Sequence, residues 1–262
     1  AGTRAHLSDI VIPEDDVSGA WLAGRCLSLC GEPAKALLHM MAAASQGHAD
    51  LPGPMSYRIG RVALAAGAWS QAAKAFTYAF SSDPQATTAL LAKGVAEFRA
   101  GKWNEAVATI RSALAASPQW PEAMGFLGFA LVFAHEMDDA ETSIRRALHS
   151  LPYWFEARVR MGDLLLRRAR FEEAREWFAS MIAEYPRSQW VRYFHSLASQ
   201  GVTRDSHSLT SARRALRALE VQNEGYNFLP AGIPSGWYTI GLAYLHIEDY
   251  AHAVPPLKRA LD

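Results

Sequence analysis

Several groups of residues have the types that chemistry needs, and their spacing decides what each can do. Cys26 and Cys30 stand in the run Cys-Leu-Ser-Leu-Cys. On a helix they share one face a turn apart, which does not suit a disulfide, and no His lies at ligand spacing beside them. They read as small buried hydrophobes rather than a redox or metal pair. Gly101-Lys102 imitates the end of a phosphate loop, but Trp103 stands where Ser or Thr must hold magnesium. Asp205-Ser206-His207 are sequence neighbours, which is not how a nucleophilic triad is assembled in space. The run from Gly232 to Gly236 lacks the preceding strand of a nucleophile elbow. The nine histidines show neither a His-x-x-x-His pattern nor a His–Cys pairing. Asp138-Asp139 and Glu172-Glu173 suit the first turns of helices before they suit acid–base work. The expectation is a chain that is not an enzyme and holds no cofactor and no metal.

Composition narrows the partner class. Half of the 262 residues are hydrophobic, and 26 basic side chains balance 26 acidic ones. Such a chain buries a large core, which excludes global disorder. Zero net charge removes the footprint of a nucleic-acid or anionic-membrane binder. Residues Ala1–Ile10 carry Arg4, His6 and Asp9 and no apolar stretch, so they do not read as a signal peptide. The longest segment free of Asp, Glu, Lys and Arg, Gly225–Ile247, is broken by Asn227, Pro230 and Pro234 and reads as a loop entering a helix rather than a membrane span. A soluble, cytoplasmic protein is expected.

The elements that must position any site follow from an internal period. Gly60, Gly94, Gly128 and Gly162 are 34 residues apart, as are Pro84, Pro118, Pro152 and Pro186, and Ala72, Ala106, Ala140 and Ala174. Trp69, Trp103, Met137 and Phe171 keep type rather than identity at the same interval, followed by Phe76, Ile110, Ile144 and Phe178. Each unit predicts two short helices. In the unit Pro121–Trp154 the first covers 122–134, His135-Glu136 turns the chain, and the second covers 138–150 with Ala140, Ile144, Ala147 and Leu148 on one face. A Gly of the first helix facing an Ala of the second is expected to let the backbones approach closely.

The 34-residue period, the Gly followed twelve residues later by Ala, the aromatic before that Ala and the closing Pro resemble the tetratricopeptide repeat. The segment Lys93-Gly94 through Gly101-Lys102-Trp103-Asn104-Glu105-Ala106, Ala113-Leu114 and Pro118 is a close match, and so are Ile240-Gly241, Tyr250-Ala251-His252-Ala253 and Ala260-Leu261. The resemblance covers roughly Val17 to Asp262 and implies an all-α fold, a right-handed superhelical solenoid of stacked helix-turn-helix units. The expected organisation is an N-terminal extension over 1–16 and a regular array of about five units over 17–188. An irregular repeat with an inserted loop follows over 189–233, then a last unit over 234–262 that is truncated or continues. In the irregular part Ser196 replaces the repeated Gly, and the next matching Gly241 lies 45 residues on. Ser206–Glu220 is expected to be helical and Val221–Ser235 to be a loop. The last helix has no polar cap after it, although repeat arrays normally need one.

The resemblance also implies that first helices line a concave face where peptides or partner helices bind. Projection of those helices puts Arg58, Arg61, Phe98, Arg99, Phe129, Phe133, Arg160, Arg167 and Tyr193 at the groove, aromatic in the middle and flanked by arginines. Such a groove would bury an apolar segment and hold its carboxylates through guanidinium forks. The Lys/Asn clamp of chaperone-binding repeats is missing, since no asparagine stands at its positions. The function expected is a non-catalytic interaction scaffold for an apolar partner with some acidic character. Two alternatives are the repeat region of a larger transferase or hydrolase, and a scaffold that self-assembles into a homo-oligomer through the C-terminal end.

Overall fold

The computed structural model describes residues 17–46, 53–203, 206–222 and 236–260. The expected extension over 1–16 and most of the expected loop over 221–235 lie outside the described residues; Val221 and Gln222 continue the helix before it. The chain divides into two compact units, Ala1–Gln119 and Trp120–Asp262. The first contains α1 (Val17–Leu29), α2 (Pro33–Gln46), α3 (Gly53–Ala65), α4 (Trp69–Ser82), α5 (Thr87–Arg99) and α6 (Trp103–Ala116). The second contains α7 (Pro121–Phe133), α8 (Met137–Ser150), α9 (Phe155–Arg167), α10 (Phe171–Glu184), α11 (Gln189–Thr203), α12 (Ser206–Gln222), α13 (Gly236–His246) and α14 (Tyr250–Arg259). Among the described residues all regular structure is helical.

The four pairs from α3–α4 to α9–α10 are closed by the same turn. At Gly67, Gly101, His135 and Ala169, again 34 residues apart, the backbone adopts positive φ of 76°, 76°, 64° and 55°. The next amide then donates five residues back, as Ala68 does to the Ala63 carbonyl (2.8 Å) and Lys102 to Glu97 (2.9 Å). This left-handed closure stops the first helix and satisfies its last carbonyls. The glycines of the apparent phosphate loop are thereby explained: Gly101 turns the chain and Gly94 packs inside the pair. His135 and Ala169 hold the same conformation without glycine's freedom.

Packing within a pair depends on what faces the repeated glycine. A Cβ on Gly128 would stand 2.5 Å from Ile144 Cγ1 and 3.1 Å from both the Ala140 carbonyl oxygen and the Ile144 amide nitrogen. Gly60, Gly94 and Gly162 meet Phe76, Ile110 and Phe178 in the same way. The glycine therefore receives a large side chain sixteen residues on, while the repeated Ala brings its backbone alongside; the expected Gly-to-Ala facing is corrected in that respect. Ala140, Ile144 and Ala147 are fully buried, so the apolar stripe of α8 faces its partner.

Pairs stack in sequence within each unit. In the first, α3 packs on α2, α4 and α5; in the second, α9 packs on α7, α8, α10 and α11. One core joins Leu27, Met40, Ile59, Ala72 and Phe76 in the first unit, and another joins Val159, Phe178, Val191, Leu216 and Tyr244 in the second. The cysteines differ from expectation: Cys26 is exposed and Cys30 is half-buried, because the α1 face that packs on α2 carries Ala20, Gly24 and Leu27 instead. No described helix is long and apolar enough to cross a membrane.

Replacing Gly128 by Ala is expected to destabilise the protein by about 1–3 kcal/mol, because two of the three obstructing atoms are backbone and cannot rotate away. Urea unfolding followed by circular dichroism measures it, and an unchanged midpoint would contradict the close approach.

Candidate binding surfaces

The nine groove residues distribute over both units, Arg58, Arg61, Phe98 and Arg99 in the first and Phe129, Phe133, Arg160, Arg167 and Tyr193 in the second. Their exposure divides them further. Arg58, Arg61 and Arg167 are exposed, and Arg99 and Phe133 are half-buried. Phe98 and Phe129 have no exposed surface, Arg160 is 1% exposed and Tyr193 is 3% exposed. These four were expected on the groove surface and lie beneath it. A first helix touches its own second helix, the preceding second helix and neighbouring first helices, so only a narrow strip of it stays outside. Phe129 shows the effect directly. Trp154, at the N-terminus of α9, packs over it at 5.5 Å between centroids, and Phe126 adds an edge contact at 5.5 Å.

In the first unit α1 and α3 form a basic cavity of about 320 Å³. Arg25, Arg58 and Arg61 line it, with Met40, Val62 and Ala65 supplying apolar wall. No carboxylate lines it among the described residues. Three guanidinium groups over an apolar wall form a receptor for a carboxylate next to an apolar side chain. Arg25 belongs to this site as firmly as Arg58 and Arg61 do.

In the second unit the surface centres on Phe133, the last residue of α7. Two arginines of α9 lie over its ring, Arg160 Cζ at 5.6 Å from the centroid and Arg167 Cζ at 5.4 Å. Arg160 Cζ also stands 6.0 Å from the Phe129 centroid. Asp163, between the two arginines on the same helix, accepts a hydrogen bond from Arg167 Nε at 3.2 Å and lies 3.8 Å from Arg160 Nη1. Seven residues separate the arginines, two helical turns, and the carboxylate falls between them, so α9 presents one face of alternating charge to the aromatic end of α7. The rings take cationic partners on their negative faces, and burial of Arg160 strengthens that attraction.

Tyr193 on α11 is the floor beyond Asp163. Its hydroxyl donates to the Ala243 carbonyl of α13 at 3.3 Å. Burial pushes its pKa far above the ordinary tyrosine value, and the nearby Asp163 charge adds to the effect, so it stays a neutral donor. Trp190 and Phe194 pack against it at 5.8 and 5.4 Å. The sequence offered no signal separating Tyr193 as floor from Phe133 as surface, because both fall on the same side of the projected helix.

The family described as "Tetratricopeptide repeat" matches residues 57–121 and 127–188. A tetratricopeptide repeat protein from Parabacteroides merdae ATCC 43184 is similar in structure at 17% identity and a TM-score of 0.69, covering 93% of this chain and 91% of its own. MamA from Desulfovibrio magneticus RS-1 aligns at 19% identity and a TM-score of 0.56, over 65% of this chain and 96% of its own. A thermophilic repeat protein of Thermus thermophilus aligns at 21% identity and a TM-score of 0.53, over 70% and 98%. No curated protein matches the chain in sequence.

Arg160→Ala is expected to destabilise the protein by about 2–4 kcal/mol, since it removes a buried cation from two ring faces and from Asp163. Arg167→Ala, at a side chain 40% exposed, should cost less than about 0.5 kcal/mol. Urea unfolding of both variants measures the contrast, and equal effects would refute the buried and surface assignments.

Proposed function

Residues 57–121 and 127–188 make this chain a tetratricopeptide repeat protein, and from that premise we propose that it is a non-catalytic scaffold binding an apolar partner segment of partly acidic character. The observation that carries the proposal is the combination of two surfaces with matching chemistry. The first unit offers the cavity of Arg25, Arg58 and Arg61, lined by three cations and no carboxylate among the described residues. The second offers half-buried Phe133 with the exposed Arg167 guanidinium over its ring. An Asp or Glu beside a Phe or Leu satisfies either surface, the carboxylate taken by a guanidinium fork and the apolar side chain by the wall or ring. Phe129, Arg160 and Tyr193 act as support beneath the second surface.

Self-assembly is favoured by a separate observation. The last helix pair leaves Leu242, Leu245, Tyr250 and Val254 exposed, between 37% and 64%. Exposed apolar side chains of this size are removed from water by association. Light scattering across a hundredfold concentration range is expected to show a mass rising above 28.8 kDa, and Leu245→Glu with Val254→Glu should restore the monomer. A wild-type protein that stays monomeric throughout refutes this second reading.

The binding proposal is tested with a phage-displayed library of 16-residue peptides. Enriched sequences should carry Asp or Glu next to Phe, Leu or Met. Synthetic versions should lose affinity about tenfold or more with Arg58→Glu plus Arg61→Glu, or with Phe133→Ala plus Arg167→Glu. Enrichment of basic peptides, or affinity unchanged in both double variants, would overturn it.

A further inference from the structure

A second, differently built cavity lies between α11 and α12, away from the strip that α7 and α9 present. It encloses about 640 Å³ and is lined by Arg192, Arg214, His195, His207, Ser199 and Ser211, with no carboxylate among the described residues. Its existence follows from a local break in the repeat. In the two preceding pairs of the same unit the corresponding positions are apolar, whereas in α5 they are Lys93 and Glu97, which neutralise each other as an ion pair at 3.5 Å. Thirty-four residues before His195 and Ser199 stand Met161 and Leu165, fully buried, and a further thirty-four before those stand Leu127 and Leu131, also buried. In α11 the same two positions are polar.

The second helix opens the space further. Ala212, Leu216 and Leu219 of α12 fill the core positions that Ala174, Phe178 and Met181 fill in α10, an offset of 38 rather than 34. By that offset Ala215 takes the place of Trp177. The Trp177 indole lies over α9 and donates to the Arg158 carbonyl at 2.8 Å. Its counterpart is a methyl group, and the Arg192 carbonyl accepts the Ser196 hydroxyl at 2.9 Å instead. Compared with the α9–α10 pair, a tryptophan's volume is thus missing from a seam whose lining has become cationic and hydroxylic; α8 and α6 carry Ser143 and Thr109 at that register.

Electrostatics decides what enters. Arg192 is anchored at the rim, its Nε and Nη2 donating to the Pro186 carbonyl at 3.2 and 2.7 Å. Arg214 has no ion-pair partner among the described residues. His195 is held below the ordinary histidine value, first by burial and then by the Arg175 charge, as befits an imidazole in a site short of negative charge. Two guanidinium groups with no lining carboxylate call for a ligand of about two negative charges, which a phosphate monoester carries at neutral pH and a carboxylate does not. The volume corresponds to about twenty waters at roughly 30 Å³ each and falls within the range of small-molecule sites, too large for the phosphate group alone.

We propose that the cavity between α11 and α12 binds a small phosphate ester, its phosphate held at Arg192 and Arg214 and its polar body received by His195, His207 and the serine hydroxyls. The site is independent of the peptide-binding surfaces, which lie on other helices.

The probe is glucose 6-phosphate, with glucuronate, glucose, inorganic phosphate and a phosphoserine pentapeptide as comparisons, titrated at constant ionic strength into the 262-residue protein. Long-range 1H–15N spectra report the His195 and His207 imidazoles. Glucose 6-phosphate should shift both saturably, inorganic phosphate more weakly, and glucose not at all. Arg214→Glu should weaken the binding about tenfold or more, Arg214→Lys should retain most of it, and Arg61→Glu should leave it unchanged. Arg214 is exposed, so its variants fold, and the urea midpoint of each checks this. Shifts no larger than chloride produces, or affinity retained in Arg214→Glu, would overturn the site. Equal binding of glucuronate would overturn its assignment to phosphate, and tighter binding of the phosphopeptide its assignment to a small molecule.

Discussion

The close approach of one helix to the next at a glycine is the constraint on which the rest depends. Gly60, Gly94, Gly128 and Gly162 each take a large side chain from the second helix of their pair into the space a Cβ would occupy. That contact sets the separation within a pair, and the left-handed turn at Gly67, Gly101, His135 and Ala169 sets the closure. With both set, the outward strip of each first helix falls at a repeated place, and side chains from successive pairs meet along it. Phe133 reaches Arg160 and Arg167 because α7 and α9 are held at that separation.

Where the constraint is relaxed, the chemistry changes. Ser196 stands in the glycine register and uses its hydroxyl on its own helix. Helix α11 runs fifteen residues where α9 runs thirteen, and the core positions of the partner helix are shifted by four residues from the repeat register. The same pair that departs from the repeat holds the larger polar cavity. The two regular pairs before it in the same unit have an apolar seam at these positions, and the departure produces room for a polar ligand. Departures from local rules that the surroundings nonetheless maintain are where function is expected to concentrate.

Most of the fold was legible in the sequence because a repeat states its contacts many times over. The Gly and Pro register located the pairs. The predicted helices over 122–134 and 138–150 differ from Pro121–Phe133 and Met137–Ser150 by at most one residue at any end. The candidate site was legible only in part. Helical projection identifies a side of α5 or α7 but not how much of that side the neighbouring first helices cover. Phe98 and Phe129 therefore shared a class with Phe133 until packing separated them. Nothing in the helix of Arg25 singles that residue out; only its meeting with Arg58 and Arg61 across α1 and α3 does so. The cavity between α11 and α12 was hidden for a different reason. The four-residue shift in α12 breaks the 34-residue register, so the substitution of Ala215 for Trp177 cannot be aligned without knowing which residues are buried.

The neutral net charge acquires a spatial meaning once the partners are known. On the second helices the acids are matched locally. Arg158 pairs bidentately with Glu184, and Arg170 joins Glu141 to Glu173. Burial pushes the Glu141 carboxyl up, but hydrogen bonds from Arg145 and Arg170 outweigh it and hold the group below the ordinary glutamate value. Those carboxylates are committed to arginines of the chain itself. The cations that line cavities without a carboxylate, Arg25, Arg58 and Arg61 in one and Arg192 and Arg214 in the other, are therefore not offset where they stand. A chain with equal numbers of each sign thus presents positive recesses, and short-range recognition depends on the recess rather than on the total.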